Sequence, residues 1–352
     1  MFLIKPKRLQ PGDTVAVLSL SWGGPAAYPA LYELGLENLR THFGLKVVEL
    51  ETARLADAVL HRNPRLRAED LNRAVRDPSI KAVLSSVGGY DSVRILPYVD
   101  WDAVRANPKI MMGYSDTTTV LTHASLGGLV TFYGPSVMTG IAQLKSLPPA
   151  FEAHLRSMLF EDCTGYRYAP YGVWSDWYPD WSDRGRLGQV NGSQPNSTGW
   201  KWLQGRGSRT GRLWGGCIEV LEFLKGTDYW PDRSFWNERI VFFESSEAKP
   251  SVQQIVYILR NYGVAGVFER ASAILYARPK GYSDSEKEEL YTALKTVIGE
   301  EFGQPELPVV ANMDFGHTDP KLVLPLGAQL RVDCEQRELT VVESFTDPAT
   351  MP

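Results

Sequence analysis

Through the first 120 residues, short apolar runs alternate with stretches whose apolar positions recur at every third or fourth residue. Residues 14–20 form a β-rich run that ends in Ser21-Trp22-Gly23-Gly24-Pro25, where glycines permit a tight loop. A helical pattern covers residues 28–43, a second strand residues 45–50, and a charged helix residues 63–76. Residues 80–87 are the third strand, running into Gly88-Gly89-Tyr90-Asp91-Ser92. Residues 110–113 are the fourth, running through Tyr114 to Ser115, which opens a helix. Strands and helices in this order predict an α/β fold whose N-terminal part is a doubly wound parallel sheet of the Rossmann-like kind, with ligands at the carboxyl ends of the strands. The Gly88-Gly89 loop and Ser115 both fall on that edge.

The pattern breaks near residue 160. Eight of the ten tryptophans lie between Trp174 and Trp236, interleaved with Gly, Ser, Asn, Pro and Arg. This stretch is too aromatic for a disordered linker and too rich in turn residues for one long element, so it is read as a structured loop. Its rings either stack on a planar ligand as a lid or fill the seam between two domains. Gly205-Arg206-Gly207-Ser208-Arg209-Thr210-Gly211 lacks a preceding strand and the spacing of a phosphate cradle, and reads instead as a hinge. Regular patterns then resume: a helix over 217–224, a strand over 239–243 ending at Glu244, a helix over 251–262, a strand over 273–277, a helix over 285–297, and a strand over 308–312 that runs into Asp314-Phe315-Gly316-His317. Residues 329–342 alternate apolar and polar positions, as a terminal hairpin does. The expected organisation is an N-terminal domain of residues 1–160, an aromatic linker or lid of 161–211, and a second, smaller α/β domain of 212–352.

Composition narrows the function classes. A chain of 352 residues, 43% hydrophobic and 22% charged, can bury a substantial core. Its net charge of -4 provides no electrostatic footprint for polymeric nucleic acid, and no window approaches a membrane span. The apolar run in Met1-Phe2-Leu3-Ile4 is too short for a signal peptide, so a soluble cytoplasmic protein is expected. Cys163, Cys217 and Cys334 are widely spaced and odd in number, which argues against a disulfide framework or a zinc site. No metal or other cofactor is expected.

The chemistry concentrates at strand ends. A strand that turns sharply into a helix holds the Ser115 hydroxyl where a substrate carbonyl can reach it, and aims the following backbone N–H groups at a developing oxyanion. The competing reading is that Ser115 is only a helix N-cap. Among the five histidines, His317 follows a Gly in a strand-end loop and suits a general base; His42, His61, His123 and His154 lie in or beside helical patterns. Glu244 ends a strand, so His317 would take the Ser115 proton and Glu244 would orient the imidazole. Its neighbour Glu247 is expected to matter little. Lys249 either recognises a substrate carboxylate or is a solvated lysine beside Glu247.

The chain resembles the LD-carboxypeptidase family of serine peptidases, in particular its microcin C immunity branch. The resemblance rests on Lys5-Pro6-Lys7-Arg8-Leu9 with Pro11-Gly12-Asp13, Gly88-Gly89-Tyr90-Asp91-Ser92 with Leu96-Pro97-Tyr98, Gly113-Tyr114-Ser115-Asp116-Thr117-Thr118, Phe242-Phe243-Glu244, and Phe315-Gly316-His317-Thr318 with Leu324-Pro325-Leu326-Gly327. It implies a Ser115-Glu244-His317 triad, an oxyanion hole from the N–H of Asp116 and one in the Gly88-Gly89 turn, no metal, and a homodimer. It also implies substrate contacts by Tyr90 and Asp91, and by an aromatic loop carrying Trp174 and Trp181 that stacks a nucleobase. The implied reaction is cleavage of an amide-type acyl bond in peptidyl- or aminoacyl-nucleotides. The alternative within the family is release of terminal D-Ala from murein tetrapeptides. A reading of another class is a non-catalytic nucleotide or sugar binder on the same fold.

Overall fold

A computed structural model describes residues 3–348; Met1 and Phe2, which open the short apolar run considered as a signal, lie outside them. The first sheet is built from β1 (Thr14–Leu18), β2 (Lys46–Glu49), β3 (Ile80–Ser85), β4 (Ile110–Gly113) and β5 (Thr131–Tyr133), which are mutually parallel in the order β2-β1-β3-β4-β5. Every residue of β4 and β5 is buried, as befits parallel strands covered on both faces. The strand order reverses between β1 and β3, and the loops that leave these two strands meet there. Tyr90 N–H donates to Ser21 Oγ at 3.0 Å, and Trp22 N–H to the Gly88 carbonyl at 3.2 Å. Helices Pro29–Phe43 and Pro64–Arg76 each begin on a proline, whose fixed φ and missing N–H suit a first helical turn.

The segment expected to be an aromatic linker or lid is partly strand. Following β6 (Arg167–Tyr168), β7 (Val173–Trp174) pairs with β8 (Gln194–Pro195), and β9 (Lys201–Gln204) leads into β10 (Ser208–Cys217). The hinge expected over residues 205–211 is therefore corrected. Gly205 and Gly207 turn the chain at positive φ, but from Ser208 onward the backbone is paired in the second sheet. Ladder hydrogen bonds to the strand of residues 329–333 hold what glycine content alone would leave loose.

That second sheet also contains β11 (Arg239–Glu244), β12 (Ala273–Ala277) and β13 (Val309–Met313), and, after β14 (Leu324–Leu326), the terminal hairpin β15 (Gln329–Asp333) and β16 (Glu338–Val341). Its order is β6-β16-β15-β10-β11-β12-β13-β9, with β10 to β13 parallel and the flanks antiparallel. The helix expected over 217–224 is only Ile218–Leu221, because i+3 turns through Leu224 and Gly226 at φ 77° lead the chain away. Trp214, Trp230 and Trp236 cluster there around Tyr262, with centroid separations of 5.2–6.5 Å, as core of the second unit.

A strand and a helix tie the two sheets together. Strand β14 returns to pair antiparallel with β5, so residues 324–326 complete the first sheet. Helix Thr118–Leu126, which follows Ser115, packs on β10: Cys217 N–H donates to Thr118 Oγ1 at 3.1 Å, and a Cβ on Gly216 would lie 2.4 Å from Thr118 Cγ2. The loop between β13 and β14 is thereby held between the sheets, and it carries His317. Among the described residues, no helix is long and apolar enough to cross a membrane.

Candidate active site

At the end of β4 the chain turns through Tyr114 into a left-handed residue. Ser115 has φ 58°, a region that non-glycine residues enter at a cost of about 1–3 kcal/mol unless their surroundings impose it. The surroundings do so here. Ser115 N–H donates to the Tyr133 hydroxyl at 3.1 Å, Thr118 Oγ1 donates to the Ser115 carbonyl at 2.5 Å, and the turn Ser115–Thr117 feeds directly into the following helix. The Gly88 loop passes close above. A Cβ on Gly88 would lie 2.9 Å from Ser115 Cβ, 3.0 Å from Oγ and 3.6 Å from Asp116 N, so loop, hydroxyl and amide share one small volume. The Asp116 carboxylate is turned away and accepts from Ser92 N–H at 2.8 Å.

His317 stands over this hydroxyl. Its Nε2 is 3.1 Å from Ser115 Oγ, and its Nδ1 is 2.7 Å from Glu244 Oε2. Glu244 ends β11 fully buried, and its other oxygen accepts from the Tyr133 hydroxyl at 2.5 Å. Tyr133 thus supports the backbone of the serine and the carboxylate at once. Gly316, at φ 82°, is what brings the loop close enough: a Cβ there would lie 2.7 Å from both Glu244 Cβ and Oε2.

Glu247 is the unexpected member of the group. Read from sequence as a neighbour of little consequence, it places Oε2 2.9 Å from His317 Nε2, on the nitrogen that also faces the serine. Burial by itself pulls the imidazole pKa down, but Glu244 and then Glu247 more than offset this and raise it to about 9. The hydrogen bond from His317 holds the Glu247 carboxyl down to about 2 against its own desolvation. Carboxylates on both ring nitrogens favour the protonated imidazole over the neutral one at rest.

A cavity of about 310 Å³ opens above Ser115 and His317. Gly88, Gly89, Tyr90 and Trp181 line it, as do Glu247 and Lys280. Trp181 packs against Trp22 at 6.1 Å and Tyr28 at 5.3 Å between centroids. Three residues expected at the substrate lie elsewhere. The Asp91 carboxylate is engaged by the buried Arg67 at 2.6 Å, by Arg94 at 2.8 Å and by His61 at 3.0 Å, so it anchors the loop and is not free for a ligand. Trp174 is buried beside a second cavity of about 370 Å³, with Arg278 and Lys287 each 4.8 Å from its ring centre. Lys249 points outward and pairs with Glu286 at 2.8 Å. Lys280 and Tyr133 were missed, although both follow or end parallel strands, the signal that singled out Ser115, Glu244 and His317.

Comparison with known proteins follows this geometry. A family model described as the LD-carboxypeptidase N-terminal domain matches residues 15–134, and one described as the LD-carboxypeptidase C-terminal domain matches residues 210–332. A putative carboxypeptidase of Vibrio cholerae is 30% identical over 335 residues, covering 94% of this chain and 95% of that protein. The microcin C7 self-immunity protein MccF of Escherichia coli is 28% identical over 95% of this chain and 94% of its own length. A solved structure of that immunity protein in complex with aspartyl sulfamoyl adenosine superposes with a TM-score of 0.83 at 28% identity, covering 97% of this chain and 99% of the other.

Proposed function

This chain belongs to the LD-carboxypeptidase family, and on that footing we propose that it is a serine hydrolase in which Ser115, His317 and Glu244 act as nucleophile, base and acid. The observation that carries this reading is the continuous path from Ser115 Oγ to His317 Nε2 at 3.1 Å and from Nδ1 to Glu244 Oε2 at 2.7 Å. Ser115 Oγ adds to the acyl carbon while His317 takes its proton, and the tetrahedral oxyanion is received by the N–H of Asp116 and one in the Gly88-Gly89 turn. The C–N bond then breaks as the imidazolium returns the proton to the leaving amine, and water repeats the cycle to release the acid. Glu244 keeps the ring oriented and offsets its charge throughout.

The substrate we propose is an aminoacyl- or peptidyl-nucleotide cleaved at its amide-type acyl bond. Support comes from the relative that holds aspartyl sulfamoyl adenosine and from Trp181, an aromatic face on the cavity wall for a base to stack on. A murein tetrapeptide losing terminal D-Ala is the second reading, favoured by the family description and by the Vibrio relative's name. A non-catalytic binder would have no use for Glu244 and His317 aligned on Ser115. The deciding measurement is kcat/KM of the wild-type protein on aspartyl sulfamoyl adenosine and on a murein tetrapeptide. Turnover of the nucleotide with little of the tetrapeptide supports the first reading, the reverse ranking supports the second, and turnover of neither supports the binder. The same proposal holds that the protein is a cytoplasmic homodimer, which sedimentation of the purified chain tests. It also keeps residues 1–160 as the nucleophile-bearing unit, 161–211 as the connecting aromatic segment and 212–352 as the unit bearing acid and base.

A further inference from the structure

Among the described residues that line the Ser115 cavity, Glu247 carries the one carboxylate, and the partner on which it rests is the catalytic imidazole. Lys249 pairs with Glu286, whereas Lys280, which lies over the rings of Trp177 and Tyr178 at 5.2 and 5.8 Å, is the lysine of this cavity whose charge also acts on Glu247. The Glu247 side chain is 62% exposed, on a turn, so it can leave the imidazole without disturbing packed structure, whereas Glu244 is fully buried and cannot. Its oxygen is 2.9 Å from Nε2, and Nε2 is 3.1 Å from Ser115 Oγ, which puts the carboxylate within two hydrogen-bond lengths of the attacking atom. An α-ammonium sits roughly 2.5 Å from its own carbonyl carbon. An acyl group whose carbonyl rests on Ser115 therefore brings a free amine into reach of Glu247.

We propose that Glu247 is the receptor for a cationic amine on the acyl side of the substrate, and that moving its carboxylate from His317 to that amine is what frees the base. The proposal rests on the triad reading above. In the resting site the imidazolium cannot accept a proton from Ser115. Once the ammonium has drawn Glu247 away, one of the two carboxylates that stabilise the ring's proton is lost, that proton passes to water, and Nε2 becomes an acceptor for the serine. The other groups that surround the ring change little between the two states. Glu244 stays on Nδ1, the Tyr114 ring stays edge-on at 5.0 Å, and Lys321 stays behind Tyr114, paired with Asp319 at 2.7 Å. Lys280 remains on the opposite side of the charge balance as the cation of the same cavity.

The test uses matched substrates: aspartyl sulfamoyl adenosine with its α-amine free or N-acetylated, and an aminoacyl-D-alanine with its α-amine free or N-acetylated. The second pair applies should the nucleotide not be turned over. Wild-type protein should prefer the free amine by about 10- to 100-fold in kcat/KM, the worth of one charge-assisted hydrogen bond. Glu247→Gln should erase that preference and cleave the acetylated substrate faster than wild type at pH 7. It should also move the ascending limb of kcat/KM, set near 9 in the free enzyme, down toward the ordinary histidine range. Glu247→Asp should restore the preference in part. An undiminished preference in Glu247→Gln, an unmoved limb, or equal collapse of activity on both members of a pair would overturn the proposal. Activity surviving in Ser115→Ala would instead refute the triad, a separate failure.

Discussion

Two cavities among the described residues are of similar size and opposite character. The one around Trp174 is the larger, at about 370 Å³, and also holds an indole and several cations, yet each cation there has a carboxylate of its own. Lys287 is 3.1 Å from Asp284, Lys201 is 3.9 Å from Glu288, and the buried Arg278 is 2.8 Å from Asp314. Such a site is electrostatically settled. At the 310 Å³ cavity the polar groups instead converge: a strained serine faces a buried imidazole that has a carboxylate on each of its nitrogens, and Ser115 and Glu247 meet at the same one. Reactive chemistry needs groups whose protonation is contested, and neither volume nor aromatic content distinguishes the two places.

Mutations can break that contrast or sharpen it. The largest expected effect is that of Ser115→Ala, which should lower kcat by on the order of 10^6-fold while the melting temperature stays within a few degrees. Near-normal turnover in a clean preparation would move the chemistry away from this cavity. Glu244→Gln should follow, with kcat down about 10^4-fold and KM little changed, because the lost interaction belongs to the transition state. A glutamine must also present an amide donor where Tyr133 and His317 now both meet a carboxylate, so some loss of stability accompanies it. If KM rather than kcat bore the loss, the acid would have to be sought elsewhere. The smallest catalytic effect separates the two tryptophans. Trp181→Ala should cost about 10- to 100-fold in kcat/KM on a nucleotide substrate and leave a tetrapeptide nearly untouched. Trp174→Ala should leave both within about twofold but lower the melting temperature, since a buried indole is worth about 3–5 kcal/mol of packing. Equal catalytic losses from both would mean that the second cavity also receives substrate.

Much of this was legible without coordinates. The parallel strands β1, β3 and β4 and their carboxyl-end loops follow from apolar runs four to six residues long, bounded by glycines and polar turns. Helices with a proline at the first position and Ser251 and Ser283 capping boxes declare their own limits. The candidate serine, acid and base were singled out because strand ends are where such folds expose side chains. The misplaced residues share a different property. Asp91 and Trp174 were assigned through the family resemblance and Lys249 by its place just past Glu244, and a loop residue's direction is fixed by its partners across the chain, such as Arg67 for Asp91 and Glu286 for Lys249.

What the sequence by itself determined was local: which stretches are strands, which are helices, and which polar residues stand at their ends, because hydrophobic periodicity and turn chemistry act over a few residues. Only the tertiary structure decided what meets. The return of residues 324–326 to pair with β5 fixes the His317 loop between two sheets. The hydroxyl of Tyr133 joins the Ser115 amide to Glu244, and the turn after β11 lays Glu247 on the imidazole. These contacts span 73 to 202 positions where His317 meets Glu244 and Ser115. No spacing rule reaches that far: the free energy that selects such contacts comes from burying the two sheets against each other, and it belongs to the whole fold.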